Sequence, residues 1–319
     1  MGGMAPTGGM AATGGMTTTG GMAATGGMAA TGGMTTTGGM ATGGMAATGG
    51  MAATAGMAAT GGMAAGGMSG TGGSGTGGAG TGGAAEGHLL NGCGLVMHMD
   101  EASWSGVPGE VIDSCRHNNG TAVKGTDPSD LSPNTTAPGY FGRAGSFDDR
   151  NGCVQIPDDP SLRPTTQLTL AAWIFPTALD PASNGIIGKR TNYMVDSSYT
   201  MFLWNDGGAD SYLWADIGTD RFHGQWTFAT NRWYHVAVVF DGGLPAGQRV
   251  RLYVDGAVDG AFTESAEMVP QSPAPLYLGC LPLAGPAQEF AGEIDEVAIW
   301  TRALGAEEIL QLYLSPSPL

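Results

Sequence analysis

The groups through which this chain could do chemistry are aromatic rings that stack on a ligand, carboxylates that hold a cation or move a proton, imidazoles and thiols. All of them lie in residues 86–319. Trp204, Tyr212 and Trp214 fall in two neighbouring strand-like runs, YTMFLW and SYLWADI. Aromatic faces stack on sugar rings while nearby Asp and Asn bind hydroxyls, so these three are candidate ligand-binding residues, with core packing as the competing role. Asp206, Asp210 and Asp216 form an acidic cluster in the same stretch. Their oxygens suit calcium, and they equally suit a solvated loop. His88, His98, His117, His223 and His235 share no metal-ligand spacing, and His235 within WYHVAVVF reads as core packing. There is no G-x-S-x-G elbow and no phosphate-binding glycine loop, so no catalytic residue is assigned.

Four cysteines, Cys93, Cys115, Cys153 and Cys280, include no CxxC pair and have no histidine at zinc spacing. An even number scattered through a loop-rich chain fits two disulfides and an exported protein. Three pairings are open; Cys93–Cys115 is favoured as the local pair, leaving Cys153–Cys280.

These groups must be positioned by an all-β domain. GLVMHMD, CVQIP, QLTLAAWIF, GIIGK, YTMFLW, SYLWADI, WYHVAVVF, VRLYVDG, APLYLG and GEIDEVAIW are strand-like runs separated by Gly, Pro, Asn and Asp clusters. In VRLYVDG the alternation sets Val250, Leu252 and Val254 on one face and Arg251 and Tyr253 on the other. Asp255-Gly256 is a two-residue hairpin signal. One helix is expected after Leu304, with Gly305 as cap, Glu307 and Glu308 in the first turn, and Leu304 and Ile309 as a hydrophobic staple. The expected architecture is a two-sheet antiparallel sandwich with one short C-terminal helix.

Residues 1–85 are different in kind. They hold 32 of the 58 glycines and 13 of the 18 methionines, with no charged or aromatic residue. The units GGMAAT and GGMTTT recur with a six-residue period that matches neither helix nor strand, so no continuous methionine stripe is expected along one element. Paired glycines make any fixed conformation entropically costly. The tract reads as a disordered low-complexity tether, and 86–319 as one folded domain. Thioethers could capture Cu(I), but the Gly-Gly breaks do not preorganise them.

A net charge of −16 with only 12 Lys and Arg excludes a nucleic-acid partner. No 18-residue apolar run exists, so no membrane span is expected. Met1 is followed by Gly-Gly rather than a secretory signal. A start site assigned inside the repeat would reconcile this with export, and the expected location is extracellular or the cell envelope.

GCVQIPDDPSL, LTLAAWIFP, GIIGK, RWYHVAVVFDG, VRLYVDG, LYLG and FAGEIDEVAIWTRALGAEEI occur in the order found in laminin-G-like jelly rolls. Over about residues 94–314 the chain resembles this group within the concanavalin A-like lectin/glucanase superfamily. The resemblance implies a jelly-roll sandwich and leaves function open, because the fold carries lectins, adhesion modules, pentraxins and glucanases. It places the middle strands, with Trp204, Tyr212 and Trp214, on the sheet that often lines a concave face. Glucanases of the superfamily carry E-x-D-x-E on one strand; the matching positions here are Glu293, Asp295 and Val297, so the trio is incomplete. Glu296 is expected on the opposite face unless a bulge intervenes, and Asp295 is expected to hold backbone amides. The pentraxin calcium loop is replaced by Cys280-Leu281-Pro282-Leu283, which has no carboxylate. Acidic residues after the first strand of similar domains make Asp100 and Asp113 candidate metal ligands, and calcium the one cofactor to consider.

Together these readings indicate a noncatalytic, exported binding or adhesion module, monomeric, with carbohydrate or a glycosylated or cell-surface protein as partner. The alternatives are a glycoside hydrolase and a purely structural spacer.

Overall fold

The computed structural model describes residues 89–319 apart from 125–130, 137, 149–151, 180–183, 193 and 283–287; of 1–88 it describes the backbone of short strand segments. Two compact units are separated at His88/Leu89. In the first, segments Met10–Ala12, Met28–Ala30, Met45–Ala47 and Met63–Ala65 pair in parallel, with methionine opposite methionine. The repeat period thus reappears between segments three units apart, a pairing that periodicity along a single element does not show. The disordered tether expected over 1–85 falls mostly on residues outside the described set.

The second unit is an antiparallel two-sheet sandwich. Its strands are β1 (Cys93–Met97), β2 (Thr121–Val123), β3 (Asn134–Thr136), β4 (Ala144–Asp148), β5 (Cys153–Ile156), β6 (Gln167–Pro176), β7 (Asn184–Lys189) and β8 (Tyr199–Trp204). There follow β9 (Tyr212–Ile217), β10 (Asp220–His223), β11 (Tyr234–Asp241), β12 (Val250–Val254), β13 (Ala257–Phe262), β14 (Leu276–Leu278), β15 (Cys280–Leu281), β16 (Gln288–Glu289) and β17 (Ala291–Trp300), then helix α1 (Ala306–Leu314). One sheet runs β3-β4-β17-β6-β11-β12-β13, with β1 also paired to β17. The other runs β2-β5-β14-β7-β8-β9-β10.

The core between the sheets takes alternate residues from each strand: Leu168, Leu170 and Ile174 of β6, Val236, Val238 and Phe240 of β11, and Met201, Leu203, Leu213 and Ala215 from the facing sheet. Val250, Leu252 and Val254 face this core and Tyr253 faces away, as the alternation predicts. The opposite face of the first sheet is buried too. Ile309 and Leu312 of α1 pack with Leu304 on Ala171, Ala237, Val239, Tyr253 and Trp300. This second core explains why β6 and β11 read as nearly unbroken apolar runs. Gly305 begins α1 as expected, and its N–H donates to Glu308 Oε2 (2.8 Å). Asp255 and Gly256 both adopt left-handed φ, 49° and 77°, in the β12–β13 turn. A Cβ on Gly256 would meet Leu310 Cδ1 at 2.9 Å, so the turn and the helix seat share one requirement.

Cys93–Cys115 and Cys153–Cys280 are both disulfide-bonded. Two motifs distant in sequence also meet. Lys189, fully buried at the end of β7, donates to Asp158 Oδ1 (2.5 Å) and the Ala274 carbonyl (2.7 Å). Arg163 bonds the same carboxyl, and with Lys189 holds its pKa at about 2, well below the ordinary value.

Candidate functional site

The outward face of β8, β9 and β10 carries an aromatic platform. Antiparallel register sets Trp204 opposite Tyr212, Phe202 opposite Trp214, and Trp214 opposite His223. Their neighbours 201, 203, 213 and 215 point into the core, so the alternation that fills the sandwich lifts these rings to the other side. Trp204 and Trp214 lie 5.0 Å apart between centroids and Trp214 and His223 4.4 Å apart. Tyr212 stands 5.7 Å from His223.

The three predicted residues therefore converge, in unequal roles. Trp214 is only 8% exposed, and its indole N–H donates to the Trp204 carbonyl (2.9 Å). It serves as the support. Trp204 and Tyr212 are half-buried and His223 is exposed, so these rings keep surface open to solvent. Arg221 crosses the platform, its guanidinium 5.2 Å from the Phe202 centroid and 5.4 Å from that of Trp204. It is anchored by Asp216, whose Oδ1 accepts from Arg221 Nε (2.6 Å) and whose Oδ2 accepts from Arg221 Nη2 (3.0 Å) and Arg190 Nη1 (3.3 Å). Asp216 is therefore a fully buried ion-pair anchor, separated in role from Asp206 and Asp210, which are exposed on the β8–β9 connection.

Phe202, Arg221 and His223 were missed as site residues. Arg221 and His223 alternate with the core residue Phe222 in DRFH, a signal readable only once β10 is known to pair with β9.

Asp100 and Asp113 act on backbone. Asp113, fully buried, accepts N–H donors from Val96 and Cys115 on Oδ1 (both 2.9 Å) and from Arg116 (3.0 Å) and Asn118 (2.8 Å) on Oδ2. It clamps the loop closed by Cys93–Cys115 onto β1. Asp100 Oδ1 accepts from Arg143 N–H (2.7 Å). Among the described residues no group of three or more His, Cys, Asp or Glu is arranged to hold a metal.

The carboxylates of β17 lie on the other sheet. Trp173 pairs with Asp295 and Phe175 with Glu293. Tyr140 stacks on Trp173 with centroids 3.4 Å apart. Asp295 accepts Phe141 N–H (2.9 Å) and Glu296 N–H (2.8 Å), the amide-holding role expected of it. Burial pushes its carboxyl up to about 8, against those two donors and with the Glu296 and Asp100 charges adding. The pairing shifts register between Ala171 and Trp173, where Glu296 adopts φ 49°. That bulge turns Glu296 to His98, whose Nδ1 lies 3.0 Å from both carboxyl oxygens. The hydrogen bond to Glu296 raises the His98 pKa above its ordinary value against the cost of burial. His235, 2% exposed between Trp173 and Tyr313, is core as predicted; burial lowers its pKa to about 3.

Residues 147–310, just over half of the chain, match the family model described as the concanavalin A-like lectin/glucanases superfamily. The chain belongs to that superfamily. Among solved structures, the superfamily domain is similar to domain 4 of AbnA, an extracellular GH43 arabinanase of Geobacillus stearothermophilus, in complex with arabinotriose: 21% identity, TM-score 0.53, covering 69% of this chain and 98% of that one. It is also similar to the binding domain of Paraclostridial Mosquitocidal Protein 1 (15% identity, TM-score 0.51, 70% and 52% covered). A third is the receptor binding domain of botulinum neurotoxin C/D mosaic serotype (13%, TM-score 0.50, 70% and 51% covered). The chain spans about half the length of the two toxin domains. These likenesses show the fold. No curated protein matches the chain. Two disulfides in a laminin-G-like superfamily domain suggest an extracellular or envelope protein. No helix among the described residues is long and apolar enough to cross a membrane.

Proposed function

We propose that the superfamily domain is a noncatalytic carbohydrate-binding module whose ligand stacks on Trp204 and Tyr212, with His223 and Arg221 at its edge. One observation carries this reading: rings that register places side by side on a sheet face, partly exposed and braced from beneath by Trp214 and Phe202. Stacking faces beside hydrogen-bonding groups are what sugar recognition requires. Similar domains include one bound to arabinotriose, which makes arabino-oligosaccharides the first ligands to try.

The noncatalytic part of the proposal rests on β17. Its third glucanase position is Val297, fully buried in the core, and Asp295 is engaged by two backbone N–H groups beneath the Tyr140–Phe141 segment. A glycosidase needs two carboxyls flanking the scissile bond, roughly 5 Å apart for retention and about 6.5–9.5 Å for inversion. Titration calorimetry with arabinotriose and a panel of soluble oligosaccharides, alongside a reducing-sugar assay, tests both parts. The expected result is binding without turnover, weakened by roughly 1–3 kcal/mol in Trp204→Ala at unchanged melting temperature. Binding indifferent to Trp204→Ala removes the platform from the reading, and sugar release abolished by Glu293→Gln replaces it with a hydrolase.

A further inference from the structure

On the outer face of the first sheet, α1 reaches as far as Tyr313, whose ring lies 5.7 Å from Trp173 and 6.4 Å from His235. Tyr140 then covers Trp173. Beyond them, toward the end of β6, a row of residues crosses four strands: Ser146 of β4, Glu293 of β17, Phe175 of β6, and Trp233 just before β11. Their neighbours Phe147, Ile294, Ile174 and Tyr234 point into the core, so alternation turns the row outward. All four residues keep part of their surface open to solvent.

The rings of this row make a corner. The Trp233 centroid lies 5.4 Å from that of Phe175, with 54° between the planes, and 5.9 Å from that of Tyr140, with 69°. Tyr140 is fixed by its stack on Trp173 and by the Phe141 N–H that Asp295 accepts. The corner is therefore formed before a ligand arrives. Glu293 stands directly opposite Phe175, where facing side chains start from Cβ atoms roughly 5 Å apart. Among the described residues, no ion pair and no hydrogen bond from another residue reaches the Glu293 carboxylate. Arg232, beside Trp233, is turned to Asp255 Oδ2 (2.7 Å), and Arg143 to Thr135 Oγ1 (3.2 Å). Burial raises the Glu293 pKa above its ordinary value, opposed only by its own backbone N–H. A partly desolvated acceptor beside tilted rings is matched by a ligand that brings hydroxyl donors on an apolar face.

We propose that Glu293, Phe175 and Trp233, walled by Tyr140, form a second saccharide site, on the sheet opposite the Trp204 platform. A sugar ring lays its C–H face on Trp233 and donates neighbouring hydroxyls to Glu293, which accepts them and takes no part in bond cleavage. The proposal rests on the carbohydrate reading for its class of ligand and uses none of the platform residues. With sites on opposite faces of the sandwich, one domain can hold two saccharide chains at once.

The test follows the indole N–H signals of the isotope-labelled full chain by NMR, each assigned by substitution, during titration with arabinotriose and the same panel of soluble oligosaccharides. The Trp233 signal is expected to shift saturably at millimolar ligand, in the wild type and in Trp204→Ala alike. Glu293→Gln keeps the size of the side chain and breaks no bond to another residue. It is expected to weaken the Trp233 response roughly tenfold, with the Trp204 response and the melting temperature unchanged and no release of reducing sugar. A Trp233 signal that stays still while Trp204 responds overturns this proposal and leaves the platform reading in place; movement at Trp233 alone does the reverse. Stillness at both overturns both. A Trp233 response equally strong in Glu293→Gln, or lost in Trp204→Ala, also overturns the second site.

Discussion

Asp295 and His235 sit on the same face of one sheet and are driven by burial in opposite directions of pH dependence. Asp295, raised to about 8, holds its proton in the folded protein where the unfolded chain, titrating near 3.8, has lost it. Its contribution is present at low pH and is lost as pH rises from about 4 to 8. His98, also raised, adds to the loss above its ordinary value of 6.5. His235, lowered to about 3, stays neutral where the unfolded imidazole takes a proton, so stability falls as pH drops below 6.5. Denaturant unfolding from pH 4 to 9 should show Asp295→Asn removing a slope of up to about 1.4 kcal/mol per pH unit. The same variant should cost about 1–3 kcal/mol at low pH, because an amide nitrogen cannot accept one of the two N–H groups that Asp295 serves. His235→Leu should flatten the acid limb below pH 6.5. An unchanged difference from wild type across the pH range in either variant would remove that residue from the account. Asp295's anchoring role and His235's burial were both legible from their motifs. The bulge that turns Glu296 to His98 was legible only as an alternative, since it depends on how β17 pairs with β6.

At the level of elements, the two disulfides close loops of different length, with sequence separations of 22 and 127. In the chain-entropy model they contribute about 3 and about 5 kcal/mol respectively. Replacing Cys153 and Cys280 by Ser should therefore lower stability more than replacing Cys93 and Cys115, measured by urea unfolding with the remaining bond intact. The reverse order would mean that Asp113, whose four backbone partners lie within or just after the shorter loop, depends on that crosslink for its geometry. Strands and the helix were readable because local chemistry marks their ends: Asp255-Gly256 at the hairpin, Gly305 and Glu308 at α1. The platform was readable in part. Trp204, Tyr212 and Trp214 stand out by type, but Arg221 and His223 join them through cross-strand register, a relation between β9 and β10 that neither strand's composition contains.

For the whole molecule, the boundary between the two units can be placed against a specific contact. Leu89 is buried in the second core, and its carbonyl accepts Trp300 Nε1–H at 2.6 Å. A chain starting at Glu86 keeps that contact and should melt at the temperature of the full protein. One starting at Asn91 loses both the apolar side chain and the acceptor for a fully buried indole, and should be less stable by about 2–4 kcal/mol. A drop of several degrees in the Glu86 form would show that the repeat stabilises the domain.

Read alone, the residues determined the all-β class, the abrupt change of composition near residue 86 and the terminal helix, while seven ordered motifs carried a resemblance to laminin-G-like jelly rolls. The class and the helix follow from local propensity, side-chain alternation and turn chemistry, which act over a few residues. Tertiary structure decided what each polar or aromatic group does once its face is chosen. Asp113 became an amide clamp, Asp216 the anchor for two arginines, and Trp214 a support. Burial and partner identity set those roles, and both arise only when strands far apart in the chain come into register.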